Sequence, residues 1–224
     1  MGEHDGHRER LRMRYLEHGL DALQDHEVLE LLLFYAVPRK DTNPMARKLL
    51  RQFGSLSAVL DAPLQDLKAA AELSDIAAIL LQLIPDLARR YQLSRTRSGT
   101  ILNSTEDCGR FVLPYFFGAT DEMVYLICLD AKKKVLACRL LQRGCVDFVG
   151  FSIRKVAEIA MSGNAVSVVL AHNHPGGMAL PSTTDYQTTE ALRSALSALG
   201  IEVLDHLVVC DSDYVSMADN GYFR

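Results

Sequence analysis

The sequence predicts an α/β protein with an all-helical N-terminal domain at residues 1–93, a linker at 94–100, and a C-terminal domain at 101–224 in which helices flank a mixed sheet. Three observations predict it. Apolar residues recur at helical spacing from about residue 8 to 93, and from about 101 short apolar runs alternate with helical stripes. The stretch between them, RRYQLSRTRSGT at 89–100, is polar and basic and contains Gly and Ser. Helical stripes close on one another as a bundle, whereas apolar runs interleaved with helices bury both faces of a sheet.

In the N-terminal part, Leu29, Leu32, Leu33 and Ala36 form one stripe and Ala46, Leu49, Leu50 and Phe53 another. Asn43 followed by Pro44 reads as an N-cap and first-turn pair, Gly54 is placed to end that helix, and Asp61-Ala62-Pro63 punctuates the next start. In the C-terminal part, 123–129 is a short apolar strand, 130–133 a turn and 135–141 a second strand, together a hairpin. Helix 154–161 follows from Val156, Ala157 and Ala160 and stops at Gly163-Asn164. Residues 165–171 form a Val-rich buried strand, 183–199 a helix closed by Gly200, and 201–209 a strand with 214–217 pairing beside it.

Composition excludes several classes. With 49% hydrophobic and 23% charged residues the chain is an ordinary soluble globular protein. The longest apolar stretches, 28–37 and 76–84, are too short or too interrupted to span a bilayer, and no signal pattern precedes the charged 8–14 run, so the expected location is the cytoplasm. The five cysteines, Cys108, Cys128, Cys138, Cys145 and Cys210, contain no CxxC pair and are odd in number, which argues for reduced thiols. Net charge is −4, with 14 basic and 14 acidic residues in 1–100 against 10 and 14 in 101–224. That balance supplies no positive excess for a phosphate backbone, so DNA binding is expected to be weak. No feature of the sequence indicates an oligomeric state.

The chemistry concentrates in His172-Asn173-His174-Pro175 and Ser182-Thr183-Thr184-Asp185. Two histidines two residues apart face the same way on an extended chain, so both imidazoles reach one ion, and the Asp185 carboxylate completes a set of three. Three protein ligands are the number used by catalytic zinc, which leaves a fourth position to water. Plainer readings stand beside this. Strand-end histidines also serve as hydrogen-bonded polar groups, and Ser182-x-x-Asp185 after Pro181 is a capping-box signature. The two readings of Asp185 are compatible, because a capped helix holds that residue in its first turn. Asp205-His206 offers a further choice, between a pair that orients a metal-binding imidazole and a histidine satisfied within a strand. His4, His7, His18 and His26 lie in a charged segment and read as solvated.

HNHP, six residues, then S-x-x-D, with an acidic residue opening a strand about fifty positions upstream, resembles the JAMM motif of the JAB/MPN metalloprotease superfamily. The likeness is closest to its bacterial RadC-like branch. It extends to Leu129-Asp130, Gly144, the 172–177 segment, the 181–185 segment and Leu204-Asp205-His206, and covers 101–224. The resemblance implies a zinc-dependent hydrolase of peptide or isopeptide bonds in which His172, His174 and Asp185 hold Zn2+. It implies Glu122 as the general acid and base, and Ser182 as the hydroxyl that steadies the developing oxyanion. Asp121 is the rival for the Glu122 role, and strand alternation puts only one of the two on the metal's face.

Departures accompany the match. Gly176 stands where the branch has Ser, and Ile153 where it has Pro. Leu49-Leu50-x-x-Phe53-Gly54-Ser55-Leu56 is similar to the branch's helix-hairpin-helix region. The second hairpin, however, reads Ala71-Glu72-Leu73-Ser74-Asp75-Ile76-Ala77 in place of a Gly-Ile-Gly turn and a basic residue. Glycines let backbone N–H groups approach a phosphate, and Glu72 and Asp75 repel one, so a packing module is expected there. The substrate, an unidentified peptide or protein, is left open. So are two other readings: a DNA-binding accessory protein of repair or replication, and a metal-dependent enzyme acting on nucleic acid.

Overall fold

The computed structural model describes residues 3–95, 99–144 and 152–222. Cys145 and residues 96–98 of the expected linker lie outside them. Two compact units divide the chain, Met1–Ala88 and Arg89–Arg224.

The first unit is helical throughout: α1 (Glu3–His18), α2 (Asp25–Ala36), α3 (Asn43–Phe53), α4 (Leu56–Leu60), α5 (Leu64–Ala71) and the start of α6 (Asp75–Arg95). The two predicted stripes meet, with Leu29 and Leu33 of α2 and Ala46 and Leu49 of α3 sharing a core with Val59, Leu67 and Leu81. Thr42, one residue earlier than expected, is the N-cap of α3, and Asn43 is already helical. The Asp41 carboxylate accepts the Asn43 N–H at 3.0 Å and so satisfies an amide left free at the helix start. His7 is not merely solvated. Its Nε2 lies 2.9 Å from the carboxylate of Glu30, which is buried and also accepts from Asn43 Nδ2 at 2.8 Å. A carboxylate out of water needs such partners, and these tie α1 and α3 to α2.

The α5–α6 turn departs from the hairpin pattern in a specific way. Glu72 holds φ 52°, the left-handed conformation that glycine adopts without cost. Ala77, aligned with the missing basic residue, is buried in the helical core and does not face a phosphate. Residues 94–95, expected to begin the linker, continue α6, because Ala88, Arg89, Arg90, Gln92 and Leu93 before them all favour helix.

The second unit holds one sheet of order β2-β1-β3-β4-β5, formed by β1 (Met123–Leu129), β2 (Val135–Arg143), β3 (Ser167–Asn173), β4 (Glu202–Cys210) and β5 (Asp213–Ser216). Only the β3–β4 pair is parallel. Parallel neighbours need a crossover, which α9 (Thr183–Ser197) supplies. One sheet face, carrying Val124, Leu126, Val168 and Leu170, packs on α9 and on α8 (Ile153–Ser162) through Val156, Ala160, Leu192 and Leu196. The opposite face, with Tyr125, Ile127, Val169 and Leu207, is covered by Phe111, Val112 and Phe116 of α7 (Thr105–Phe116). Helix α7 is absent from the sequence-based reading. No helix among the described residues is long and apolar enough to cross a membrane, and Cys108, Cys128, Cys138 and Cys210 are free thiols.

Candidate metal centre

The C-terminal end of β3 lies beside β4, at the parallel pair, where strand carboxyl ends commonly hold ligands. His174 continues past the strand with its N–H donating to Val209 O at 2.9 Å, so the extended conformation persists through both histidines. Pro181 and Ser182 then start α9 with a reciprocal cap. Ser182 Oγ accepts the Asp185 N–H at 3.2 Å, and the Asp185 carboxylate accepts the Ser182 N–H at 2.7 Å. This cap fixes Asp185 in the first turn, buried, with its carboxylate turned toward the strand end.

The three predicted ligands converge. His172 Nε2 is 2.8 Å from His174 Nε2 and 3.3 Å from Asp185 Oδ1, His174 Nε2 is 3.6 Å from Asp185 Oδ2, and the three ligand atoms fall within 4.8 Å of one another. His172 and Asp185 are buried, while the His174 side chain is 24% exposed, so the cluster meets solvent at His174. Two imidazole and one carboxylate donor suit zinc. Zn–N bonds of about 2.0–2.1 Å in a tetrahedron hold two nitrogens about 3.3 Å apart, so the rings need to part by only about half an ångström. Two Nε2 atoms at 2.8 Å require a proton between them, and a cation taking its place releases that proton.

Both rings are oriented from behind. His174 Nδ1 faces Met178 O at 3.2 Å, which leaves Nε2 pointing inward. His172 Nδ1 lies 2.7 Å from Nε2 of His206, a residue without solvent exposure, whose own Nδ1 lies 2.6 Å from Thr189 Oγ1. Of the two sequence readings of His206, the structure thus places it against the back of a candidate ligand. Burial dominates the titration of His172 and His206 and pushes both below the usual histidine range, despite the opposing charge of Asp185. Burial also pushes the Asp185 carboxyl up, but the hydrogen bond with His172 and the two Ser182 donors outweigh it and hold the group well below the carboxylate range. A neutral imidazole beside an ionised carboxylate is the protonation state metal binding requires.

Glu122 immediately precedes β1, and the register Val124↔His172 puts positions 122 and 124 on the face of the two histidines. Its charge acts on His172, raising that pKa against the larger effect of burial. Asp121 points elsewhere and pairs with Arg143 at 3.1 Å. Ser182 Oγ donates to Asp185 Oδ2 at 2.7 Å.

Asn173 was missed as a functional residue. Its side-chain Oδ1 accepts the Met123 N–H at 2.8 Å and its Nδ2 donates to Asp121 O at 3.1 Å, so one amide clasps the chain on both sides of Glu122. The Glu122 carbonyl in turn accepts from Gly144 N at 2.8 Å. The amide between two histidines was the available signal, because alternation turns it toward the sheet face opposite the two imidazoles.

Residues 102–222 match the RadC-like JAB domain family. Over the length of the chain, UPF0758 proteins of Stutzerimonas stutzeri, Janthinobacterium and Ruegeria pomeroyi are 36%, 34% and 35% identical, each alignment covering 96% of this chain and 96% of the relative.

Proposed function

Because the chain belongs to the RadC-like JAB family, we propose that it is a zinc-dependent hydrolase of a peptide or isopeptide bond, with His172, His174 and Asp185 as ligands. The observation that carries this reading is the convergence of two inward-turned imidazoles and an ionised, buried carboxylate at an opening beside Glu122. Zinc bound there supplies a Lewis acid for a carbonyl and lowers the pKa of its water toward neutrality.

The chain's own groups do the rest. Glu122, outside the ligand set but on its face, takes the proton of the attacking water and delivers it to the departing amine. Asn173 fixes the backbone on either side of Glu122 so that this transfer starts from one geometry. Ser182 first serves Asp185, to which its hydroxyl proton is committed. It offers that proton to a developing oxyanion by exchanging partners. Met178 and Leu180, 71% and 54% exposed, belong to the segment that leads from His174 to the start of α9, and Met178 O meets His174 Nδ1 at 3.2 Å. Exposed apolar side chains beside the Glu122 carboxylate suit an extended polypeptide better than a polyphosphate, which favours an amide substrate over nucleic acid. The free thiols are in keeping with a cytoplasmic location.

The test is zinc-loaded protein against a peptide library and isopeptide-linked fusions, with Glu122→Gln in parallel. Wild type should cleave, and the variant should keep its zinc while losing about 10²–10⁴-fold in rate. Zinc-dependent cleavage of nucleic acid without any peptide cleavage would refute the assignment. Full activity of Glu122→Gln with loss in Asp121→Asn would move the proton shuttle to the other side chain.

A further inference from the structure

Strand β2 is irregular at the level of the candidate metal centre. Tyr125 pairs with Leu140 while its neighbour Val124 pairs with Gln142, so Leu141 is an extra residue and the ladder bulges there. Residues paired across a sheet share a face. Strict alternation would put Gln142 with Leu140, on the face covered by α7. The bulge turns it instead to the face of Val124 and, one strand further along the same row, His172. Leu141 packs on that face too, in one core with Val124, Val156 and Ala160, while Arg143 turns the other way and pairs with Asp121. Re-aiming a side chain is what a bulge beside a site does.

The side chain so aimed is half-buried, and its Oε1 is out of water with no hydrogen-bond partner among the described residues. An amide oxygen in that state weakens the fold until a donor arrives. Its neighbours on β1 and β2 supply none: Val124 and Leu141 are apolar, Gly144 has no side chain, and an ionised Glu122 only accepts. A half-turn about the last side-chain bond exchanges the amide oxygen and nitrogen at little cost, which presents the oxygen to a chain lying over the sheet. Adjacent strands are about 4.8 Å apart, so Gln142 stands about 10 Å from His172 along the row, and its side chain spans about half of that. A polypeptide with its scissile carbonyl at the metal, rising about 3.4 Å per residue, brings an N–H one or two positions away within reach.

We propose that Gln142 is a specificity-determining residue whose side-chain oxygen accepts a main-chain N–H of the bound polypeptide, one or two residues from the scissile bond. This rests on the peptide-hydrolase reading above. The contact is the same before and during bond cleavage, so it acts on KM and leaves kcat alone.

Gln142→Met keeps the volume and removes the acceptor. The probe is a peptide that zinc-loaded wild type cleaves, taken from the library above, with analogues in which one non-scissile N–H at a time is replaced by an ester oxygen. The variant should hold zinc as wild type does, unfold at a Tm no lower because an unpaired acceptor is gone, and raise KM about tenfold with kcat within about twofold. One ester within two residues of the scissile bond should cost wild type about tenfold in kcat/KM and cost the variant nothing further. An unchanged KM, a lowered Tm, or an ester series that penalises wild type at no position within two residues overturns the role of Gln142 and leaves peptide hydrolysis standing. Wild type that cleaves no peptide overturns both.

Discussion

Replacing Ser182 with Ala separates the structural duty of this hydroxyl from any part in catalysis. In the metal-free protein the Oγ accepts from Asp185 N at 3.2 Å and donates to Asp185 Oδ2 at 2.7 Å. Loss of the N-cap costs about 1 kcal/mol, and loss of a donor to a charged acceptor about 1.5–3 kcal/mol. Ser182 is itself exposed, so water replaces part of the second contribution, and about 2 kcal/mol is expected in all. For a chain of this size that lowers Tm by roughly 4–8 °C. With zinc bound the carboxylate gains a strong partner, and the penalty should shrink toward the cap alone, about 1 kcal/mol. Thermal and urea unfolding followed by circular dichroism, with and without zinc, measures both values. A change below about 0.5 kcal/mol in the metal-free protein, or the same change in both states, would refute the linked cap and ligand. A large loss of rate at unaltered stability would make the hydroxyl a purely catalytic group.

Elemental analysis should find about one zinc per chain in wild type and little in His174→Ala, since two remaining ligands hold zinc poorly; equal contents would rule His174 out as a ligand. Asp205→Asn tests a buried carboxylate on β4. Burial raises the Asp205 pKa above its usual 3.8, against the lowering by donors from Ser216, Ala218 and His206. Below that pH both folded and unfolded wild type are protonated; above it the unfolded chain ionises first. The stability of wild type relative to the Asp205→Asn variant should therefore decline as pH rises from about 3.8 through the folded pKa and then level off, and urea titrations showing the opposite slope would contradict the burial argument. Glu72→Gly should raise stability by about 0.5–1 kcal/mol, because it relieves a left-handed residue at the end of α5; a loss would mean that the Glu72 side chain holds the turn.

The candidate metal ligands and most strands were legible because their signals are local. The histidine spacing and the cap signature lie within 172–185, and the strands are uninterrupted apolar runs. Helix α7 was hidden by Gly109 and Pro114, which count against helix in any propensity reading. The reason for Gly109 is tertiary: a Cβ there would lie 2.2 Å from Cζ of Tyr214 on β5. The supporting residues were illegible for a related reason. Asn173 meets Met123 across fifty positions, and His206 meets His172 only because β4 is laid parallel to β3. Nothing in the neighbouring sequence specifies either partner. Alternation separates Asp121 and Glu122 onto opposite faces in the sequence itself, but the pairing of Asp121 with Arg143 depends on the hairpin register.

The end of β3 imposes an arithmetic on this protein. His172 and His174 turn one way, toward Asp185, and Asn173 turns the other way to grip the chain around Glu122. Slipping the strand by one residue would exchange the two sets, sending the amide to the metal side and the imidazoles beneath the base. A slip of two would restore the orientations while displacing each by one pleat. Single insertions or deletions between residues 167 and 174 should therefore abolish zinc binding and base placement together, whereas length changes in the loop between His174 and Ser182 leave the parity of this strand untouched.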